Sequence, residues 1–193
     1  FYKNKNLSFW EGAVSHISSN ETFIQVRKRF LKKETFLQNI LTHELSHIGR
    51  MAFDENRFEE ILAYKTSPGW RGVVGALFAT RFESLLFVLL IALSLGADFL
   101  SSPFYLIGKV APLLFLLLLG GRLWKRNCLF RKSEKKIEAL LKSSSIARKV
   151  IYRLTDKEIT LFSKLPLPAI RDYIASNREK SLRWRSIYLS YFQ

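Results

Sequence analysis

Residues Phe104 to Leu123 read FYLIGKVAPLLFLLLLGGRL, 20 residues whose only charges, Lys109 and Arg122, lie toward the two ends. At 1.5 Å rise per residue, about 20 helical residues cross a hydrocarbon core of roughly 30 Å. Leu113 to Leu119 is LLFLLLL, without the polar face that a helix in a soluble core keeps. Upstream, Gly75 to Ala97 reads GALFATRFESLLFVLLIALSLGA, 23 residues with Arg81 and Glu83 near the start. The connecting Asp98-Phe-Leu-Ser-Ser-Pro103 is short and holds a turn-forming Pro. These stretches predict a transmembrane helical hairpin over about 75–97 and 104–123; the competing reading is a buried hairpin in a soluble protein.

The charge distribution agrees with a membrane placement. The chain has 193 residues and a formal net charge of +15, and 48% of its residues are hydrophobic, too apolar for a disordered basic tail. Residues 125–193 carry 17 basic against 6 acidic side chains, while the loop between the apolar segments has no Lys or Arg. By the positive-inside rule both flanks are expected in the cytoplasm, making this an integral membrane protein. The basic tail can also rest on anionic lipid headgroups. Topology and lipid thus account for the excess charge, and nucleic acid is not expected as a partner. The single Cys128 excludes an internal disulfide framework and a Cys-rich zinc module. The chain opens on Phe1 and its one methionine is Met51, so it is expected to lack its true start.

The chemistry-bearing pattern lies before the apolar segments. Phe36, Leu37, Ile40, Leu41, Leu45 and Ile48 follow helical spacing, which puts His43-Glu44-Leu-Ser-His47 on a helix. Histidines four apart project from one face and can grip a single ion. Glu44, about 100° round the helix, can reach a metal-bound water as general base. Zinc would lower the pKa of that water and polarise a peptide carbonyl. A third protein ligand is needed. The candidates are Asp54, Glu55, Glu59 and Glu60. If the helix runs to about Met51 and a second returns from near Asp54 or Asn56, Glu60 comes level with the histidines. Asp54 and Glu55 then read as cap residues, and Glu59 as closing a capping box with Asn56.

Ile40-Leu-Thr-His43-Glu44-Leu-Ser-His47-Ile-Gly-Arg50 resembles the active-site helix of the membrane metallopeptidases that include the CAAX prenyl protease and the bacterial heat-shock membrane protease, and of related gluzincins. In that group the third zinc ligand is a Glu in an E-x-x-A element, which Glu60-Ile-Leu-Ala63 matches. The resemblance therefore implies zinc held by His43, His47 and Glu60. Two departures stand out. Tyr64 occupies the position of the family's Asp, and the apolar hairpin follows both motifs instead of separating them. Glu21 to Arg27 alternates as a short strand, of the kind that in zincins lies beside the active helix and pairs with extended substrate.

The remaining features are subordinate. His16 reads as a surface or core histidine, and Trp70 and Trp124 fall near the expected membrane boundaries. Residues 132–154 look helical, Thr155-Asp-Lys-Glu158 forms a capping box, and Leu165-Pro-Leu-Pro168 breaks the pattern before helix resumes at Ala169. The expected fold is mostly α, an α+β zincin-like core with a short edge strand. The expected division is a catalytic core at 1–71, the membrane hairpin at 72–124 and a basic helical cytoplasmic subdomain at 125–193. The expected function is a membrane-anchored zinc endopeptidase acting on a protein or peptide substrate at the membrane. The alternatives are a non-catalytic zincin-like scaffold and a basic lipid- or nucleic-acid-binding helical protein.

Overall fold

The computed structural model describes residues 13–17, 21–65, 76–96 and 104–192. The described chain is mostly helical with one small sheet. Strand β1 (Ala13–Ile17) pairs antiparallel with β2 (Thr22–Val26), Ser15 opposite Ile24 and His16 opposite Phe23. The alternating pattern thus produces the expected strand at Glu21–Arg27 and a partner, β1, that the sequence reading did not assign. A 3-10 turn (Lys28–Phe30) leads into α1 (Glu34–Arg50), and a second (Met51–Phe53) ends it. Asp54 then takes a left-handed conformation with φ 49° and reverses the chain.

Helix α2 (Glu59–Lys65) has only seven residues. So short a helix is unstable alone and is held by tertiary packing. Phe58, Ile61, Leu62 and Ala63 are all buried, against Phe130 and Ile137 of α4 (Phe104–Leu141) and the side chains that follow. The same core takes in Val150 and Ile151 of α5 (Ser144–Ile151), Ile159 and Phe162 of α6 (Asp156–Lys164), Ile170 and Ile174 of α7 (Leu167–Asn177), and Trp184 and Ile187 of α8 (Leu182–Tyr191). The basic C-terminal helices therefore pack on the helix that carries Glu59 and Glu60. Among the local expectations, the Thr155–Glu158 capping box forms with both of its hydrogen bonds. The helix expected over 132–154 breaks at Lys142 (φ 54°), and Ser143 caps a new one. Helix resumes at Leu167, two residues earlier than expected, because Pro168 fits the first turn, where no N–H is needed.

Helix α4 runs unbroken through Pro112 and past the apolar segment to Leu141. Among the described residues it is the one helix long and apolar enough to cross a membrane, with an 18-residue window of mean hydropathy 1.8 that is 11% buried. Helix α3 (Arg81–Gly96), at 16 residues, is shorter than the expected first span. The start of that span and the loop at 98–103 lie partly or wholly outside the described residues. The two helices pack antiparallel: Phe87 stacks on Phe115, and Arg122 forms a two-pronged ion pair with Glu83. That pair neutralises two of the charges the sequence leaves at the ends of the apolar stretches. Leu85, Val88, Leu93 and Leu95 on α3 and Leu106, Leu113, Leu117 and Leu118 on α4 are exposed. An apolar surface this continuous marks a face made to be covered, and with the length of α4 it points to membrane association.

Candidate metal centre

The site is built from two helices and one strand. On α1, His43 and His47 lie one turn apart on the face toward α2, and their Nε2 atoms are 3.2 Å apart. From α2, Glu60 brings Oε2 to 3.9 Å of His43 Nε2 and Oε1 to 3.7 Å of His47 Nε2. One donor atom from each of the three falls within 4.8 Å of the others. Donors at 2.0–2.2 Å from a tetrahedral zinc lie about 3.3–3.6 Å from one another. The two shortest contacts use different oxygens of Glu60, so a single-oxygen donor set closes onto one ion with a shift of up to about an ångström, and two imidazoles with a carboxylate suit zinc. The side chains of His43, His47 and Glu60 are 17%, 19% and 37% exposed, so solvent reaches them.

Glu59 is placed differently from its expected capping role. Helix α2 begins at Glu59 itself, so Asn56 lies outside it, and the Glu59 carboxylate accepts a hydrogen bond from His47 Nδ1 at 2.8 Å. With that proton on the Glu59 side, neutral His47 presents the lone pair of Nε2 toward His43 and Glu60. This is the orientation that a carboxylate partner imposes on a metal-binding histidine. Glu55 also has another job, accepting from the backbone N–H of Asp156 at the first turn of α6. Asp54 sits in the left-handed turn. Of the four acidic candidates, only Glu60 joins the two histidines.

Glu44, whose field reaches His47 and Glu60, is tied to the sheet by Ser15, whose Oγ–H donates to its Oε2 at 2.5 Å. The tie fixes one carboxylate oxygen; among the described residues the other forms no hydrogen bond. The ring of Tyr64 packs on His43 with centroids 4.5 Å apart, so an aromatic plane steadies that imidazole. His16 stacks on Phe23 and bonds Gln25 at 3.1 Å, which occupies it within the strand pair.

A buried network sets the angle between the two helices. Arg50, 3% exposed, donates Nη1 to the carbonyls of Tyr152 and Leu154, both at 2.9 Å, and Nη2 reaches Asp156 at 3.4 Å. Asp156 in turn accepts from the backbone N–H of Arg57 at 2.7 Å and of Phe58 at 3.4 Å. Tyr152 donates its hydroxyl to the Leu62 carbonyl. The chain between α1 and α2 is therefore pinned by residues about a hundred positions away.

Electrostatically, burial disfavours charge on His47, yet the hydrogen bond to Glu59 and the fields of Glu60, Glu59 and Glu44 outweigh it and leave its pKa above the ordinary value. Burial raises Glu60, with His47 opposing and Glu59 and Glu44 adding to the shift. Both shifts describe negative charge concentrated in a partly dry pocket, a setting that a cation relieves.

Sequence reasoning missed Ser15, the partner role of Glu59 and the Arg50–Asp156 network. The alternation in Ala13-Val-Ser-His-Ile17 is a local signal for the first, and the adjacency of Glu59 to Glu60 hints at the second. Nothing local signals the third. No protein family, curated protein or solved structure matches the chain.

Proposed function

We propose that this chain is a membrane-anchored, zinc-dependent endopeptidase of gluzincin type. The observation that carries the proposal is the convergence of His43, His47 and Glu60 within bonding reach of one ion, with Glu44 on the adjoining helix face. His43, His47 and Glu60 would hold the zinc, and Glu59 would orient His47. Zinc supplies Lewis acidity, which lowers the pKa of a bound water and polarises a carbonyl. Glu44 would take up a proton of the attacking water on the carboxylate oxygen not bonded to Ser15 and pass it to the departing amine. An extended substrate would pair alongside the small β1–β2 sheet by strand addition. The substrate class is a protein or peptide at the membrane, and the Lys/Arg excess after α4's apolar part supports a cytoplasmic position for the regions that flank α3 and α4.

The test is Glu44→Gln in the detergent-purified protein. Zinc content measured by elemental analysis stays at one ion per chain, while cleavage of a casein or membrane-protein substrate falls by at least about a hundredfold. Absence of stoichiometric metal from the wild type refutes the proposal, as does equal proteolysis by the variant.

A further inference from the structure

Beside the candidate metal centre, where the start of α3 meets α4 and the chain into α2, lies a recess of about 510 Å³. Its charged lining consists of Arg57, Glu59, Glu60, Glu83, Arg122 and Arg126. Each carboxylate there has a cationic or imidazole neighbour. Glu59 accepts from His47, Glu60 lies against both histidines, and Glu83 is held by Arg122. Two guanidiniums remain. Neither Arg57 nor Arg126 forms an ion pair among the described residues; Arg57 only leans over the Phe58 ring. The three arginines and three glutamates of the lining balance formally, so what the recess offers an anion is not excess charge but two guanidiniums without an ion pair among the described residues, and a guanidinium fork matches phosphate oxygens in pairs.

The depth of the recess says where that anion comes from. The exposed leucines of α4 end at Leu118, and those of α3 begin at Leu85. The recess is lined by Thr80 and Glu83 at one side, with exposed Phe82 between them, and Arg122 and Arg126 at the other, at the margin of both apolar faces. Trp124, 73% exposed, stands at the same level, as an interfacial anchor does. Basic pockets between apolar helices at this depth hold lipid headgroups.

We propose that Arg57 and Arg126 form a binding site for the phosphate of an anionic phospholipid, seated beside the metal centre at the membrane surface. The inference rests on the membrane placement of α3 and α4 and is independent of proteolysis. A bound headgroup would bridge α4 to the chain that leads into α2, and so brace the helix carrying Glu60.

The test uses the full chain in a neutral detergent, with thermal unfolding followed while phosphatidylglycerol or phosphatidylcholine is added. Phosphatidylglycerol raises the wild-type melting temperature and phosphatidylcholine does not. In Arg57→Gln/Arg126→Gln the apparent affinity for phosphatidylglycerol falls about tenfold or more. The exposed pair Lys125→Gln/Lys132→Gln keeps the wild-type response, which separates the recess from general basicity. Equal stabilisation of the wild type and the arginine double variant overturns the site. An equal shift from millimolar inorganic phosphate keeps the phosphate site and overturns its lipid source. A shift produced only by peptides with a free terminal carboxylate overturns it in favour of a substrate pocket. Solubility without detergent refutes the membrane placement, whatever the phosphate arms show.

Discussion

If Glu59 orients His47 while Glu60 ligates, the two neighbouring carboxylates must fail differently. In Glu59→Gln the donor set His43, His47 and Glu60 is intact, but the 2.8 Å hydrogen bond to His47 Nδ1 loses its charge. Replacing such a partner costs about 10–100-fold in metal affinity, or about 1.4–2.8 kcal/mol. Stoichiometry stays at one ion. In Glu60→Ala a ligand is gone and the two histidines alone must hold the metal, so affinity falls further, by well over a hundredfold, and the ion is lost on dialysis. The pH dependence separates them again. Glu59 and Glu60 both hold the His47 pKa above its ordinary value. A metal needs the neutral imidazole, so protons compete at a higher pH than they would at an isolated histidine. Glu59→Gln removes the carboxylate charge that helps raise this pKa, so the acid limb of metal release moves to lower pH even as affinity at pH 8 drops. Competition titration against a chromophoric zinc chelator between pH 5 and 8 reads both quantities. Loss of the ion in Glu59→Ala together with its retention in Glu60→Ala would refute the assignment of ligand and partner.

Other consequences are simpler to read. Arg50→Met strips two carbonyls and the Asp156 carboxylate of a buried donor, and should cost about 3–5 kcal/mol of stability in denaturant unfolding. Thr155→Ala removes one half of the capping box of α6 and should cost about 1 kcal/mol by the same assay. In the wild type, zinc affinity should fall steadily as pH drops, because the raised pKa values of His47 and Glu60 put protons on both ligands earlier than usual; a flat profile between pH 8 and 6 contradicts this. Orientation is open to labelling: in a Cys128→Ser background, the exposed position of Lys132→Cys should react with a membrane-impermeant maleimide only after the cytoplasmic face is opened.

The features legible in the sequence were those written in short-range periodicity. His43 and His47 share a helix face because four residues make about one turn. The Thr155–Glu158 box needs only its own residues, and β2 shows its alternation. The level of Glu60 against the histidines follows from counting residues through a reversal. The failures have the opposite character. Glu59 was read as a local cap because Asn56 lies three residues before it, but α2 starts at Glu59 and its carboxylate finds His47 across the helix pair instead. Glu55 likewise caps a helix about a hundred residues downstream, not its own. Partners at that separation leave no periodic trace. The pairing of Glu83 with Arg122 is of the same kind, visible only once α3 and α4 lie side by side.

The short helix α2 joins the chemistry to the stability of the fold. Its Glu59 and Glu60 face α1, while Ile61, Leu62 and Ala63 are buried and face the core made with α4, α5 and α6. Seven residues cannot sustain a helix in water, so one side of α2 is fixed by hydrophobic packing and the other by whatever the carboxylates bind. Without a cation, the acidic side concentrates negative charge in a half-dry pocket and works against that packing. With the proposed cation bound, both sides would pull the same way. The proposed metal would therefore be thermodynamically linked to folding, since a ligand that prefers the folded chain stabilises it by mass action. The network from Arg50 through Asp156 to the N–H groups of Arg57 and Phe58 makes the linkage specific. It fixes the chain just before Glu59, so the carboxylates meet the histidines at a set height instead of wherever a loose loop would leave them.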